Sequence, residues 1–120
     1  MKPILTKNAP EPVGPYSQAV KTDGFLFISG QLGIDNDGNV KETVEEQTTQ
    51  ALENIQAILK KENLELQNVA KITVYLSDMN NFDKMNSVYK KYFQRPARAC
   101  IGVTLFKTFK VEIEAVAVYE

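Results

Sequence analysis

Phe25-Leu26-Phe27-Ile28-Ser29-Gly30 is the stretch that decides how this chain folds. Four apolar residues in a row, closed by a hydroxyl and a glycine, read as a short strand buried on both faces. Thr22-Asp23-Gly24 just before it carries a tight-turn signal, so the segment from Tyr16 pairs back onto it as a β-hairpin. Upstream, Pro3, Pro10, Pro12 and Pro15 exclude a helix and predict an extended, irregular lead-in. Downstream, residues 34–40 are turn-rich around Asp37-Gly38.

The remaining elements follow from periodicity. Val44, Ala51, Leu52, Ile55, Ile58 and Leu59 recur at helical spacing and predict a helix over 44–63, with Asn63 as its stop. Residues 69–76 alternate, Ile72, Val74 and Leu76 against Lys71, Thr73 and Tyr75, which predicts a strand. A second helix, capped by Asn80 or Asn81, runs to Phe93 with Phe82, Met85, Tyr89, Tyr92 and Phe93 as its apolar stripe; Pro96 breaks it. Residues 98–105 and 110–119 are the last two strands. The order β-β-α-β-α-β-β over a single domain, 1–120, is a two-layer α+β sandwich with two helices on one face of five or six strands. Phe25-Leu26-Phe27-Ile28 and Val116-Ala117-Val118 are apolar on both faces. The face without helices therefore needs a partner, and a second copy of the chain is the simplest one.

Composition excludes several classes of function. The 120 residues include no His and one Cys. A Ser-His-Asp triad, His-ligated metal, a Cys-rich zinc site and an internal disulfide are all excluded. A lone Cys fits a reducing cytoplasm. The net charge of −1, with no basic run, gives no footprint for nucleic acid, so none is expected as a partner. No apolar stretch approaches the ~20 residues of a membrane span. The N-terminus, Met1 to Lys7, is too short and polar to read as a secretory signal. Asp35, Asp37 and Gly38 lack the spacing of a calcium loop and read as a turn. There is no Gly-rich phosphate cradle.

Few residues remain to carry chemistry. Arg98 starts a strand and shares its face with Cys100; it is either a carboxylate fork or a surface or interface ion pair. Glu112 and Glu114 share one face of an otherwise apolar strand. They either pair with Lys107, Lys110 or another chain, or one of them activates a water. Cys100, with no His to activate it, reads as a packing residue. Tyr16, directly after Pro15, either packs or lays its ring over a pocket. Ser29 and Gly30 are a strand end that can present a hydroxyl and bare backbone to a ligand.

Four ordered motifs, Gly14-Pro15-Tyr16-Ser17-Gln18-Ala19, Ile28-Ser29-Gly30-Gln31, Pro96-Ala97-Arg98-Ala99-Cys100 and Val111-Glu112-Ile113-Glu114-Ala115, resemble the RidA/YjgF/YER057c/UK114 family of reactive-intermediate deaminases, also labelled L-PSP endoribonucleases. The resemblance extends from Asn8 to the last strand. It implies a chorismate-mutase-like fold and a homotrimer with a central barrel and clefts between subunits. It also implies hydrolysis of 2-enamine and 2-imine acids, such as 2-aminoacrylate, to 2-keto acids and ammonia, with neither cofactor nor metal. By motif, Arg98 is expected to hold the substrate carboxylate and Glu112 to position the hydrolytic water. Tyr16, Ser29, Gly30 and Cys100 are expected to line the pocket, whereas Glu114 does not match the acid position. The segment 92–95 is shorter than in the family, Gly102 stands where many members carry Glu, and 104–109 replaces an Arg-Leu-Pro stretch. The competing functions are a keto-acid-binding regulatory module and an endoribonuclease.

Overall fold

A computed structural model describes residues 1–120. One six-stranded sheet has the order β1-β2-β3-β6-β4-β5. Its strands are β1 (Lys2–Ile4), β2 (Ala19–Thr22), β3 (Phe25–Leu32), β4 (Val69–Leu76), β5 (Ala97–Gly102) and β6 (Val111–Val118). The helices are α1 (Val44–Lys61) and α2 (Phe82–Tyr89). Only β4 and β5, joined through α2, run parallel. The predicted order holds, with one short strand added in front.

That added strand lies in the proline-rich lead-in. Lys2–Ile4 pairs with β2 at the sheet edge, where Pro3 need not donate to a second neighbour. The buried Gln18 side chain holds the following loop. Its amide oxygen accepts from the Thr6 N–H, and its NH2 donates to the carbonyls of Thr6, Ala9 and Pro10. Residues 16–18, expected to begin the first hairpin strand, stay outside it for this reason: Tyr16 N–H closes a tight turn on the Gly14 carbonyl. The β2–β3 hairpin turns at Asp23 and Gly24, both with positive φ, the backbone that an Asp-Gly pair favours.

Helix α1 follows its sequence signals closely. The Thr43 hydroxyl accepts from Glu46 N–H, and the Glu46 carboxylate accepts from Thr43 N–H, a reciprocal cap that satisfies two orphan donors. Beyond Lys61 the chain leaves the helix through Asn63 at φ 58°, a left-handed turn that Asn tolerates. All six predicted apolar positions are buried against the sheet. Close approach is possible because Gly33 has no side chain: a Cβ there would lie 2.4 Å from Gln47 Cβ. Gln47 is itself buried, donating to the Lys41 carbonyl and accepting from Lys110 N–H at the entry to β6.

Helix α2 is shorter than expected. It ends at Tyr89, after which Lys91 and Tyr92 donate to carbonyls three residues back, a tightened turn. Phe93 is nonetheless buried with Met85 and Tyr89. Asn81 makes no side-chain cap; Asp78 caps the 3-10 turn before the helix by accepting from Asn80 N–H. Strand β5 stops at Gly102 rather than Leu105. Met79 lies against Gly102, 2.8 Å from where a Cβ would sit, and 103–110 form a loop with Lys107 at positive φ.

Both helices lie on one sheet face, over Leu26, Ile28, Ile72, Val74, Leu76, Ile113 and Ala115. The other face is bare. The expectation that β3 is buried on both faces is corrected for the isolated chain: Leu26 and Ile28 are buried, while Phe25 and Phe27 are 44% and 45% exposed. With Ile101, Val116 and Val118 they form the apolar side expected to meet another copy. Full burial of each Phe side chain is worth roughly 1.5–3 kcal/mol. A shallow hollow of about 320 Å³ on this face is lined by Val20, Phe27, Ser29, Lys71, Thr73 and Glu114.

Candidate active site

The sequence-predicted residues fall into two groups, and the sheet separates them. The first surrounds Glu112. Alternation along β6 buries Val111, Ile113 and Ala115 under the helices and turns Glu112 and Glu114 to the bare face. Opposite Glu114, β3 carries a bulge between Ile28 and Gln31, a feature that re-aims nearby groups. Gly30 sits in that bulge. A Cβ on it would lie 1.9 Å from Glu112 Oε2, so the carboxylate occupies the space of a missing side chain.

The two acids differ in their partners. Glu114 accepts from the Tyr75 hydroxyl at 3.2 Å. Glu112 has neither a hydrogen bond nor an ion pair within the chain, and the ion pairs the chain forms are Lys21–Glu62 and Lys41–Asp35. Of the alternatives the sequence leaves open, pairing of these acids with Lys107 or Lys110 is therefore absent within the chain. Burial, and then the nearby charge of Glu114, raise the Glu112 carboxyl above its ordinary range. Ser29 stands beside Gly30; its hydroxyl donates to the Ser17 carbonyl at 2.6 Å. β3 runs on to Leu32 rather than ending at Ser29-Gly30 as the sequence suggests, because pairing with β6 resumes after the bulge. The Ser29 bond holds the Tyr16-Ser17 turn against the middle of that strand while leaving the Ser29 oxygen free to accept. Tyr16 is half exposed.

The second group surrounds Arg98 on edge strand β5. In the parallel β4–β5 register Arg98 is opposite Ile72 and Cys100 opposite Val74, so both point to the helix side. The Arg98 guanidinium donates to Asn86 Oδ1 at 2.6 Å. It also lies 4.7 Å from the ring centre of Tyr89 and 5.6 Å from that of Phe82. No carboxylate of the chain pairs with it, which removes the intrachain ion-pair alternative. Cys100 is half-buried against the core, and burial pushes its thiol up despite Arg98, so it is poorly suited to act as a thiolate nucleophile.

Asn86, Phe82 and Tyr89 complete the Arg98 group. Asn86 was not singled out in the sequence; the available signal was its place at i+4 from Phe82 and three before Tyr89, on one helical face. The Asp35–Gly38 segment is a turn, as expected. Asp35 Oδ1 accepts from the N–H groups of Asp37 and Asn39, and Asp35 pairs with Lys41.

The two groups cannot meet within one chain. Glu112 is on β6, Arg98 two strands away on β5 and on the opposite face, so roughly two strand spacings, about 10 Å, and the sheet itself lie between them. Each half is open, and each holds a group without a charged partner.

Residues 6–119 match the family model described as Endoribonuclease L-PSP. The chain is 52% identical to a RutC family protein of Pyrococcus horikoshii, over 98% of this chain and 97% of that one. It is 50% identical to a 2-iminobutanoate/2-iminopropanoate deaminase of Bos taurus, over 98% of this chain and 89% of that one. The structure of Escherichia coli TdcF with bound serine superimposes with a TM-score of 0.96 at 37% identity, covering both chains fully. No helix of this chain is long and apolar enough to cross a membrane.

Proposed function

The chain belongs to the Endoribonuclease L-PSP family, with the RutC and Rid proteins, and from that premise we propose that it hydrolyses small 2-imino acids, and the enamines that tautomerise to them, to 2-keto acids and ammonia. The observation that carries this reading is the unpaired Arg98 guanidinium, held open beside a half-site that lacks an acid. Deaminases about 50% identical to the chain and the serine held by TdcF support a small ligand with a carboxylate next to a nitrogen-bearing carbon.

The active site is proposed to lie between two copies of the chain in a homotrimer. The exposed Phe25, Phe27 and Ile101 of the bare sheet face, which packing against another copy would bury, support such an assembly. Arg98 of one copy forks the substrate carboxylate, and Glu112 of its neighbour faces the imine carbon. Gly30 lies against Glu112, Tyr16 and Ser29 are proposed to line the same side of the pocket, and Cys100 lies beside Arg98. A water gives a proton to the Glu112 carboxylate as its oxygen attacks C2, and the C=N electrons move to nitrogen. The imine reacts as its iminium, so this gives a neutral carbinolamine. Glu112 then returns the proton to the amine nitrogen, and as the C–N bond breaks Glu112 takes the remaining proton of the carbinol oxygen, so that the carbonyl forms, ammonia leaves and the proton passes to water. A carboxyl raised toward neutrality both takes and returns that proton readily. The imine is already electrophilic, so positioning and charge supply most of what is needed. No resident metal or cofactor enters this scheme. A cytoplasmic setting, where pyridoxal-dependent chemistry releases such imines, fits the single unpaired Cys.

The test generates 2-iminopropionate with an amino-acid oxidase and follows its decay. Arg98→Ala and Glu112→Gln are each expected to lower kcat/KM by about 100-fold or more. Unfolded and reassembled together in equal amounts, the two inactive variants should recover about a quarter of wild-type activity, because each cleft draws one residue from each of two copies. No recovery in verified mixed oligomers overturns the two-chain site. Binding of pyruvate without acceleration favours the non-enzymatic reading.

A further inference from the structure

The Arg98 surroundings hold more than an anchor. Phe82, Asn86 and Tyr89 lie at i, i+4 and i+7 on α2, one face of the helix, and all three address the same guanidinium. None carries a charge. An amide oxygen accepts one N–H and fixes the plane of the group, and aromatic faces attract the cation from the side. Arg has five N–H donors, so the rest, and the full positive charge, stay free for a ligand. Asn86 itself is half-buried between the helix and β5, whereas Arg98 is exposed.

Resting on the reading of Arg98 as the carboxylate anchor, we propose that Asn86 is a positioning residue that orients the Arg98 fork without neutralising it, and that its being an amide rather than a carboxylate is what keeps the site open to anionic substrates. Asp has the same shape as Asn, yet at this distance it forms an ion pair with Arg98 inside the chain and competes with the substrate carboxylate. A residue with a merely structural role tolerates that isosteric change, since an ion pair in place of a hydrogen bond holds β5 to α2 at least as well.

The experiment compares Asn86→Asp, Asn86→Ala, Arg98→Ala and the double variant Asn86→Ala/Arg98→Ala. Readouts are 2-iminopropionate kinetics, pyruvate titration by calorimetry and thermal melting. Asn86→Asp is expected to raise KM and the pyruvate Kd roughly 10- to 100-fold, the scale of one charge-assisted hydrogen bond, with kcat within about 3-fold of wild type and melting unchanged or raised. Asn86→Ala should weaken binding less, and should have no further effect once Arg98 is removed. If Arg98→Ala weakens pyruvate binding but Asn86→Asp does not, the role of Asn86 is overturned and the anchor stands. Should Arg98→Ala leave binding unchanged, both fall together. Additive losses in the double variant also overturn the proposal, because they place Asn86 outside the Arg98 interaction.

Discussion

The two halves of the candidate site are built by opposite means. Around Glu112 the protein works by omission: a glycine leaves room for a carboxylate, no donor reaches it, and burial makes its charged form costly. Around Arg98 it works by supply: one amide and two aromatic rings hold a guanidinium on an exposed edge. On the proposed function, the difference follows from what each charge has to do. An acid that must take and return a proton benefits from an environment that disfavours its ionised form. A cation that must bind a carboxylate benefits from staying fully charged and rigidly aimed. Both arrangements leave a charge without a counter-ion in its own chain, and in the proposed two-chain site a second copy and a substrate complete them.

The largest effect is expected where omission is undone. Gly30 has no positive φ to protect, so Gly30→Ala is compatible with the backbone. Its new methyl, however, meets Glu112 Oε2 at 1.9 Å, and either the carboxylate or the β3 bulge must move. A shift of about 1 Å in a reacting group costs about 100-fold. The expected result is a kcat loss of that order with little change in KM, read in the imine assay, while substitutions around Arg98 act first on KM. A Gly30→Ala variant with wild-type kcat would mean that the position of Glu112 does not matter to the reaction, and the contrast between the halves would fail.

The sequence made this contrast visible only in part. Helix α1 and strand β4 were legible because their signals are local: apolar residues at helical spacing, an Asn stop, strict alternation. Arg98, Glu112 and Gly30 were legible as motif members, and the bare sheet face followed from apolar runs in β3 and β6. Three features were not legible. β1 is three residues long and contains a proline, and it exists because β2 pairs with it and Gln18 holds the loop that follows, which is a long-range cause. The end of α2 at Tyr89 left no trace in the apolar stripe, since Phe93 is buried just as well after the hydrogen bonds change register. Asn86 was hidden by its chemistry: its place on one helical face with Phe82 and Tyr89 could be read, but a neutral residue there points to no function until the strand bearing Arg98 is placed beside it.

A smaller effect should appear at Glu112 in stability. The folded protein raises this carboxyl above its ordinary value of 4.5, so the folded state binds its proton more tightly than the unfolded state does. Below about pH 4.5 the group is protonated in both states and makes no difference. As pH rises through the window up to the raised folded value, the folded state alone resists ionisation, so stability is lost and then levels off. Glu112→Gln escapes that loss. It should melt about 1–3 °C above wild type at pH 7–8, the carboxylate being half in water and partly screened, and the advantage should vanish at pH 4. A variant less stable than wild type at neutral pH would show that Glu112 has a favourable partner in the assembly, and that omission is the wrong description of its half.

The smallest effect tests the other half. Tyr89 is 6% exposed and its hydroxyl has no hydrogen-bond partner within the chain; burial raises its pKa, with Arg98 opposing. What the Arg98 cradle uses is the ring face, which Phe supplies as well. Tyr89→Phe should therefore leave KM and kcat within about 2-fold and raise stability by about 1 kcal/mol, the scale of relieving one buried unsatisfied hydroxyl. Paired thermal melts and imine kinetics decide it. If Tyr89→Phe instead raises KM or lowers the melting point, the hydroxyl finds its acceptor in the neighbouring copy or in the substrate. The Arg98 half would then be finished from outside by a hydrogen bond, as well as by the charge it awaits.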